Sequence, residues 1–246
     1  MSAEASLPVL PLKKPILPVI VVSGILALVL SLLHLMRVEL SNKEFILDWS
    51  DRILSGNSYY PDQYRILSYY SAHALALLGL PVLYSFFAIR LVFTFLSFVV
   101  LYLYLESLCR PIYAVLGLLM TAFSMVFTYA HYACQPTDPL NMLVFFTAFH
   151  ALYQRKDRWL LPLIVIGMLN RETVILLPLI YAFIRYKEEP LKRYVTTFLA
   201  LSAAAAAIYL GLRLWFGARP PYAATSPLHY WRTNLLDKQT WVQVLS

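Results

Sequence analysis

Apolar and polar positions fall along this chain in long blocks, not in residue-by-residue alternation. Ile16–Met36, Pro81–Leu105, Pro111–Ala130 and Tyr194–Phe216 are apolar runs, each near the roughly 20 residues that cross a bilayer as a helix. Leu140–Tyr153 reads as a shorter span. Ile16–Met36 is too long for a signal-peptide core and has no small-residue cleavage site, so it reads as a retained helix.

Trp159–Ile184 breaks the pattern. Its sequence, WLLPLIVIGMLNRETVILLPLIYAFI, has two apolar arms around one polar knot, Asn170, Arg171, Glu172 and Thr173. A single helix would hold Arg171 and Glu172 near the bilayer centre, where a charge costs roughly 2.5–3.5 kcal/mol on insertion scales. Both flanks are basic, Gln154–Arg158 and Arg185–Arg193. The positive-inside tendency puts both in the cytoplasm, which one crossing forbids. The segment therefore predicts a hairpin of two short helices, each reaching roughly 18 Å. Its tip lies below the outer surface, in protein or water and not in lipid.

Residues 37–80 form the longest hydrophilic region. Ser41 or Asn42 can cap a helix there, and Gly56-Asn57 can end it. Glu44, Asp48 and Asp51 share one face, with Ile46, Trp49 and Ile53 on the other. Such an amphipathic helix can lie along the membrane surface. Its acidic stripe is either a solvated face or a set of carboxylates at the mouth of a cavity. A turn rich in tyrosine follows at 59–65, and a second apolar helix begins at Ile66. Arg90, inside the second long span, either snorkels or faces a binding cavity. Asp138-Pro139 is a helix-start signal, and Asp138 can serve as nothing more than an N-cap.

Composition sharpens the class. Hydrophobic residues make up 60% of the 246 and charged ones 13%, against about 45–50% and about 25% in soluble domains. The fold class is all-α, a single polytopic transmembrane bundle of about seven membrane helices, the 159–184 pair included. Juxtamembrane helices occupy its first external loop, and residues 217–246 form an external tail. Lys13 and Lys14 before the first span put the N-terminus in the cytoplasm. The net charge of +7 sits in short clusters between apolar runs, a pattern of cytoplasmic loops and not of a nucleic-acid face. Cys109 and Cys134 flank one span and so cannot pair, and no C-x-x-C or glycine-rich nucleotide motif occurs.

This topology gathers Glu44, Asp48, Asp51, Arg65, His131, Asp138, Arg171 and Glu172 on the extracytoplasmic side. Arginine holds phosphate bidentately, and a carboxylate takes a proton from an attacking hydroxyl. An anionic lipid substrate fits such a set, because its tail stays in the bilayer.

Three stretches carry a resemblance: DWSDRILSGNSYY with QYR (Asp48–Tyr60, Gln63–Arg65), QPTDPLN (Gln135–Asn141) and GMLNRET (Gly167–Thr173). Their layout resembles the GT-C superfamily of membrane glycosyltransferases over most of residues 16–216. The resemblance implies a polyprenyl-phosphate-linked sugar donor, an acceptor glycan, lipid or protein, inversion at the anomeric carbon, and often a divalent metal ion. It implies an acidic first-loop residue as general base, Asp48 or Asp51, with Arg65 and Arg171 on the lipid phosphate. His131, Asp138 and Glu172 complete the substrate-binding set. No Asp-Glu or Glu-x-Asp pair marks a metal site. The chain has no closing span after Phe216, as in a short or truncated member. A transporter or flippase of amphipathic anions, built on the broken 159–184 segment, and a non-catalytic membrane subunit are the alternatives.

Overall fold

The computed structural model describes residues 16–59, 61–130 and 136–217, and every regular element among them is helical. In chain order these are α1 (Ile16–His34), α2 (Lys43–Leu54), α3 (Ile66–Leu77), α4 (Val82–Leu108), α5 (Pro111–Ala130), α6 (Asp138–Tyr153), α7 (Leu160–Asn170), α8 (Leu177–Arg185) and α9 (Leu191–Phe216). By length and composition four of them can cross a membrane: α1 with its continuation to Glu39, α4, α5 and α9. The other bundle helices are shorter, with 16 residues in α6, 11 in α7 and 9 in α8.

Two packed groups share α4. On one side α1 and α5 close over it, burying Ala27, Leu30, Phe98, Leu118 and Ala122. On the other, α6 lies along α4 and carries α7, α8 and α9, with Val144, Ile164, Leu177 and Tyr181 at the centre. Helical structure in α1 runs past Met36 as a π-helical turn, Leu35–Glu39. The reason is Glu39, buried and ion-paired to Arg90 at 2.6 Å. Arg90 is thus buried and does not snorkel; it holds α1 to α4.

The double-armed segment is a hairpin. Arg171 is extended (φ −160°, ψ 133°) and ends α7, a 3-10 turn covers Glu172–Leu176, and α8 returns. Arg185 at the end of α8 donates to Asp157, beside the start of α7, at 2.7 Å and 3.0 Å, so both arms begin and end together. Close approach of the arms requires glycine at 167. A Cβ there would lie 2.7 Å from both γ carbons of Val174 and 3.0 Å from Cγ1 of Val144.

The hairpin tip and the start of α6 are sunk in the bundle. Ser97 Oγ donates to the Pro139 carbonyl at 3.2 Å. Ser97 stands about 22 Å along α4 from its Val82 end, at 1.5 Å per residue. First-loop helix α3 packs on α4 and α7, and α2 packs on α3 and α4. The C-cap of α2 forms as the sequence predicts: Gly56 (φ 76°) donates to Ile53 O and Asn57 to Arg52 O. Asn42 stands at the N-cap, but its amide donates backwards to Val38 O at 2.9 Å. Ile46, Trp49 and Ile53 pack with Tyr69, Ala72, Phe86 and Ile89. The apolar face of α2 is thus partly covered by α3 and α4, with Ile53 buried, Ile46 and Trp49 half-buried and Phe45 exposed.

Candidate functional site

Three segments far apart in the chain meet at one buried amide. Asn170, fully buried at the last residue of α7, accepts from Ser68 Oγ at 2.6 Å and donates through Nδ2 to Thr137 O at 2.7 Å. One side chain thus joins α3, the approach to α6 and the hairpin. All three groups are hidden from water, where an unmade hydrogen bond costs about 1–3 kcal/mol.

Around this amide the charged residues pair across the same three segments. Arg65, at the end of the Asp62–Tyr64 turn, grips Glu172 side-on: Nε to Oε2 at 3.2 Å and Nη2 to Oε1 at 2.7 Å. Its third nitrogen, Nη1, donates to Asp62 Oδ1 at 2.8 Å. Arg65 is almost inaccessible (7% of its side chain), while Asp62 keeps 14% exposure and Glu172 29%. Arg171 pairs with Asp138. Asp138 is the first residue of α6, with Thr137 at the cap position, so its carboxylate serves Arg171 in place of the helix end.

The two acids on Arg65 differ electrostatically. Burial pushes Asp62 up, Arg65 opposes this, and neighbouring Glu172 pushes further, leaving Asp62 above the usual carboxylate range. Burial also acts upward on Glu172, but the two hydrogen bonds and charge of Arg65 overcome it and hold Glu172 below that range. Arg65 itself is held cationic: its pairs with Glu172 and Asp62 outweigh burial. The site therefore contains a firmly ionised acid beside one that takes a proton more readily.

A narrow crevice opens next to Glu172, lined also by Tyr64, Met168, Tyr209, Leu212 and Arg213. Its volume of about 10 Å³ matches a single water. Tyr64 OH donates to Gly217 O at 2.8 Å, tying the end of α9 to the first loop.

Of the residues the sequence singled out, the structure unites Arg65, Asp138, Arg171 and Glu172 with the first loop and hairpin tip. Asp48 and Asp51 stand on the exposed face of α2, and Asp48 pairs with Arg52 of its own helix at 2.9 Å. The first-loop acid set against Arg65 is Asp62, which the sequence offered only as part of a turn. His131 lies outside the described residues. Arg213 was also missed, while Asn170 entered only as a member of the polar knot and Tyr64 only inside the QYR stretch, neither with a role. The signal available for Asn170 was its place in an otherwise apolar arm; Arg213 in the last turn of a span gave none beyond its charge.

A divalent cation does not fit these residues. Among the described residues no three His, Cys, Asp or Glu side chains gather as ligands, and the acids present are bonded to guanidinium groups. No protein-family model, curated protein or solved structure matches the chain.

Proposed function

We propose that this protein is a membrane glycosyltransferase of the GT-C type, moving a sugar from a polyprenyl-phosphate donor to an acceptor hydroxyl on the extracytoplasmic side. The observation that carries the reading is the convergence of Arg65, Glu172, Arg171 and Asp138 from the three segments that carry the resemblance, joined by Asp62 from the turn just before Arg65, at a tip sunk beside apolar helices. A lipid-linked donor needs such a place, polar at the reacting end and open to lipid for its tail.

Asp62 is the general base. Its carboxylate takes the proton of the acceptor hydroxyl, the oxygen attacks the anomeric carbon, and the bond from that carbon to the phosphate oxygen breaks. Prenyl phosphate leaves with the electron pair. A base held above the usual carboxylate range retains driving force for this transfer near neutral pH. Arg65, itself gripped by Glu172, fixes Asp62 in place, and Asp138 holds Arg171. Asp48 and Asp51 carry no step.

The test is sugar transfer from a panel of radiolabelled polyprenyl-phosphate sugars by the full chain in lipid nanodiscs with an acceptor mixture. Release of prenyl phosphate coupled to labelled product supports the reading; intact donors throughout would refute it. The broken helix pair α7–α8 is also the device by which transporters hold a midplane site. In that second reading, liposomes containing the protein scramble prenyl phosphates between leaflets without breaking the sugar bond.

A further inference from the structure

The base of the α7–α8 hairpin lies at the opposite end of the arms from the charged tip. Two loops meet there, residues 154–159 before α7 and residues 186–190 after α8. Arg185, buried at the end of α8, donates to Asp157 at 2.7 Å and 3.0 Å and to Glu188 at 3.0 Å. Arg155 reaches Glu188 from the other loop at 3.3 Å. Glu189 accepts from Tyr181 at 3.1 Å and lies 3.6 Å from Arg193. All three acids of the two loops are therefore engaged within the protein, and the side chains of Asp157 and Glu189 are each only 9% exposed.

The cations are left outside. Lys156, Arg158, Lys187 and Lys192 are exposed, and none of the four is ion-paired among the described residues. Arg185 draws the acids inward, so the outer surface of this end is basic. Two of its cations stand where glycine is the ordinary choice. Arg155 (φ 56°) and Lys187 (φ 65°) follow the ends of α6 and α8 in the left-handed conformation, which a side chain adopts only at a cost. Both are exposed, so no core contact offsets that cost.

The depth of the patch follows from its contacts. Tyr153, at the end of α6, donates to the Ser107 carbonyl at 2.7 Å, in the last turn of α4. Because α4 is long enough to cross a bilayer, the loops are level with the place where a span leaves it. Exposed apolar residues adjoin the cations there: Trp159 beside Arg158, Tyr186 beside Lys187 and Leu191 beside Lys192. Rings at the headgroup boundary and long cationic side chains reaching outward form an interfacial pattern. One turn back along α8, Phe183 is 83% exposed and offers a wall for an acyl chain.

From this we infer that the base of the hairpin is a binding site for an anionic phospholipid. Lys156, Arg158, Lys187 and Lys192 surround its phosphate-bearing head, and Trp159, Tyr186 and Phe183 lie against its chains. A zwitterionic head brings its own cation to a surface already basic. A soluble polyanion would use the charges and leave the exposed rings without a partner. The site is separate from the charged tip and does not depend on the transferase reading.

The experiment is native mass spectrometry of the delipidated full chain in detergent, titrated with dioleoyl phosphatidylglycerol, dioleoyl phosphatidylcholine and inorganic phosphate. Each basic residue near an anionic lipid surface is worth about a fivefold factor in binding. The parent chain should prefer phosphatidylglycerol to phosphatidylcholine at least about tenfold. Lys156→Gln/Arg158→Gln/Lys187→Gln/Lys192→Gln should lose that preference. Arg37→Gln/Lys43→Gln, exposed at the other end of the bundle, should keep it. Lys187→Gly separates the surface role from the fold: it relieves the left-handed backbone, so it should not lower Tm, yet should reduce the preference by up to about fivefold. No preference in the parent, or one unchanged in the folded quadruple variant, would overturn the inference. Inorganic phosphate bound as tightly as the lipid, and lost in the quadruple variant, would also overturn it by naming a small anion as the occupant.

Discussion

Replacing Arg65 by methionine tests the pairing that holds the site together. The side chain is 7% exposed and joins two carboxylates through three hydrogen bonds. Its removal takes from Asp62 and Glu172 the cation that joins them, leaving only the more distant charge of Arg171 to offset the two acids. Removing one partner of a buried ion pair costs about 3–5 kcal/mol. Because Glu172 keeps 29% exposure, water carries part of that load, and the lower end, about 3 kcal/mol, applies. For a chain of this length the loss lowers Tm by roughly 6–12 °C. Glu172→Gln keeps the shape and one acceptor for Arg65, which remains paired to Asp62, so it costs only about 1–2 kcal/mol. The double variant Arg65→Met/Glu172→Gln removes one of the stranded charges and should be more stable than Arg65→Met alone, a coupling of at least about 0.5 kcal/mol. Thermal unfolding in nanodiscs, followed by tryptophan fluorescence, reads all three. Arg65→Met within about 1 kcal/mol of the parent chain, or less harmful than Glu172→Gln, would refute the buried-pair account.

Acid titration separates the two acids. Asp62 has its folded value raised above the ordinary 3.8, so its ionisation costs stability above that folded value, and acidification removes the cost. Glu172 has its folded value depressed below 4.5; its contribution is present above 4.5 and is lost as pH falls through the folded value. Unfolding midpoints should rise on mild acidification and then fall, with Asp62→Asn removing the rise and Glu172→Gln flattening the fall; a rise that persists unchanged in Asp62→Asn, or a fall that persists unchanged in Glu172→Gln, contradicts the assignment. Asn170→Leu strips partners from Ser68 Oγ and Thr137 O and should cost about 2–4 kcal/mol, and Asn170→Asp should also destabilise, because an acceptor then faces the Thr137 carbonyl. Gly167→Ala should destabilise by about 1–3 kcal/mol through overpacking, and Val174→Ala on top of it should restore much of the loss. Failure of that rescue would show that the contact with Val174 does not limit the hairpin.

Local signals in the sequence reached far into this fold. Two basic flanks around an interrupted apolar run specify the hairpin, because a charge rule and a length rule together leave no single crossing. Gly56-Asn57 ends α2 because only a residue at ease with positive φ completes that cap. What stayed hidden depends on partners far along the chain. Glu39 and Arg90 are 51 positions apart, and Arg65 and Glu172 are 107 apart; no periodicity records such a match. The stripe of Glu44, Asp48 and Asp51 looked like a site because helical spacing shows that three acids share a face. It does not show whether that face meets a cavity or water, and packing of Ile46, Trp49 and Ile53 on α3 and α4 turned it outward. Asp62 was obscured for the converse reason, since an acid in a Pro-Asp turn is ordinarily a turn former.

The central claim is that Asp62, held by Arg65 against the hairpin tip, performs the chemistry. It is tested most directly by the kcat of sugar transfer in nanodiscs for Asp62→Asn beside Asp48→Asn and Asp51→Asn, each verified as folded. The account predicts that Asp62→Asn loses at least about a hundredfold, as removal of a general base does, while the two α2 variants stay near the parent rate. Transfer retained by Asp62→Asn, or abolished by either α2 variant, would contradict it.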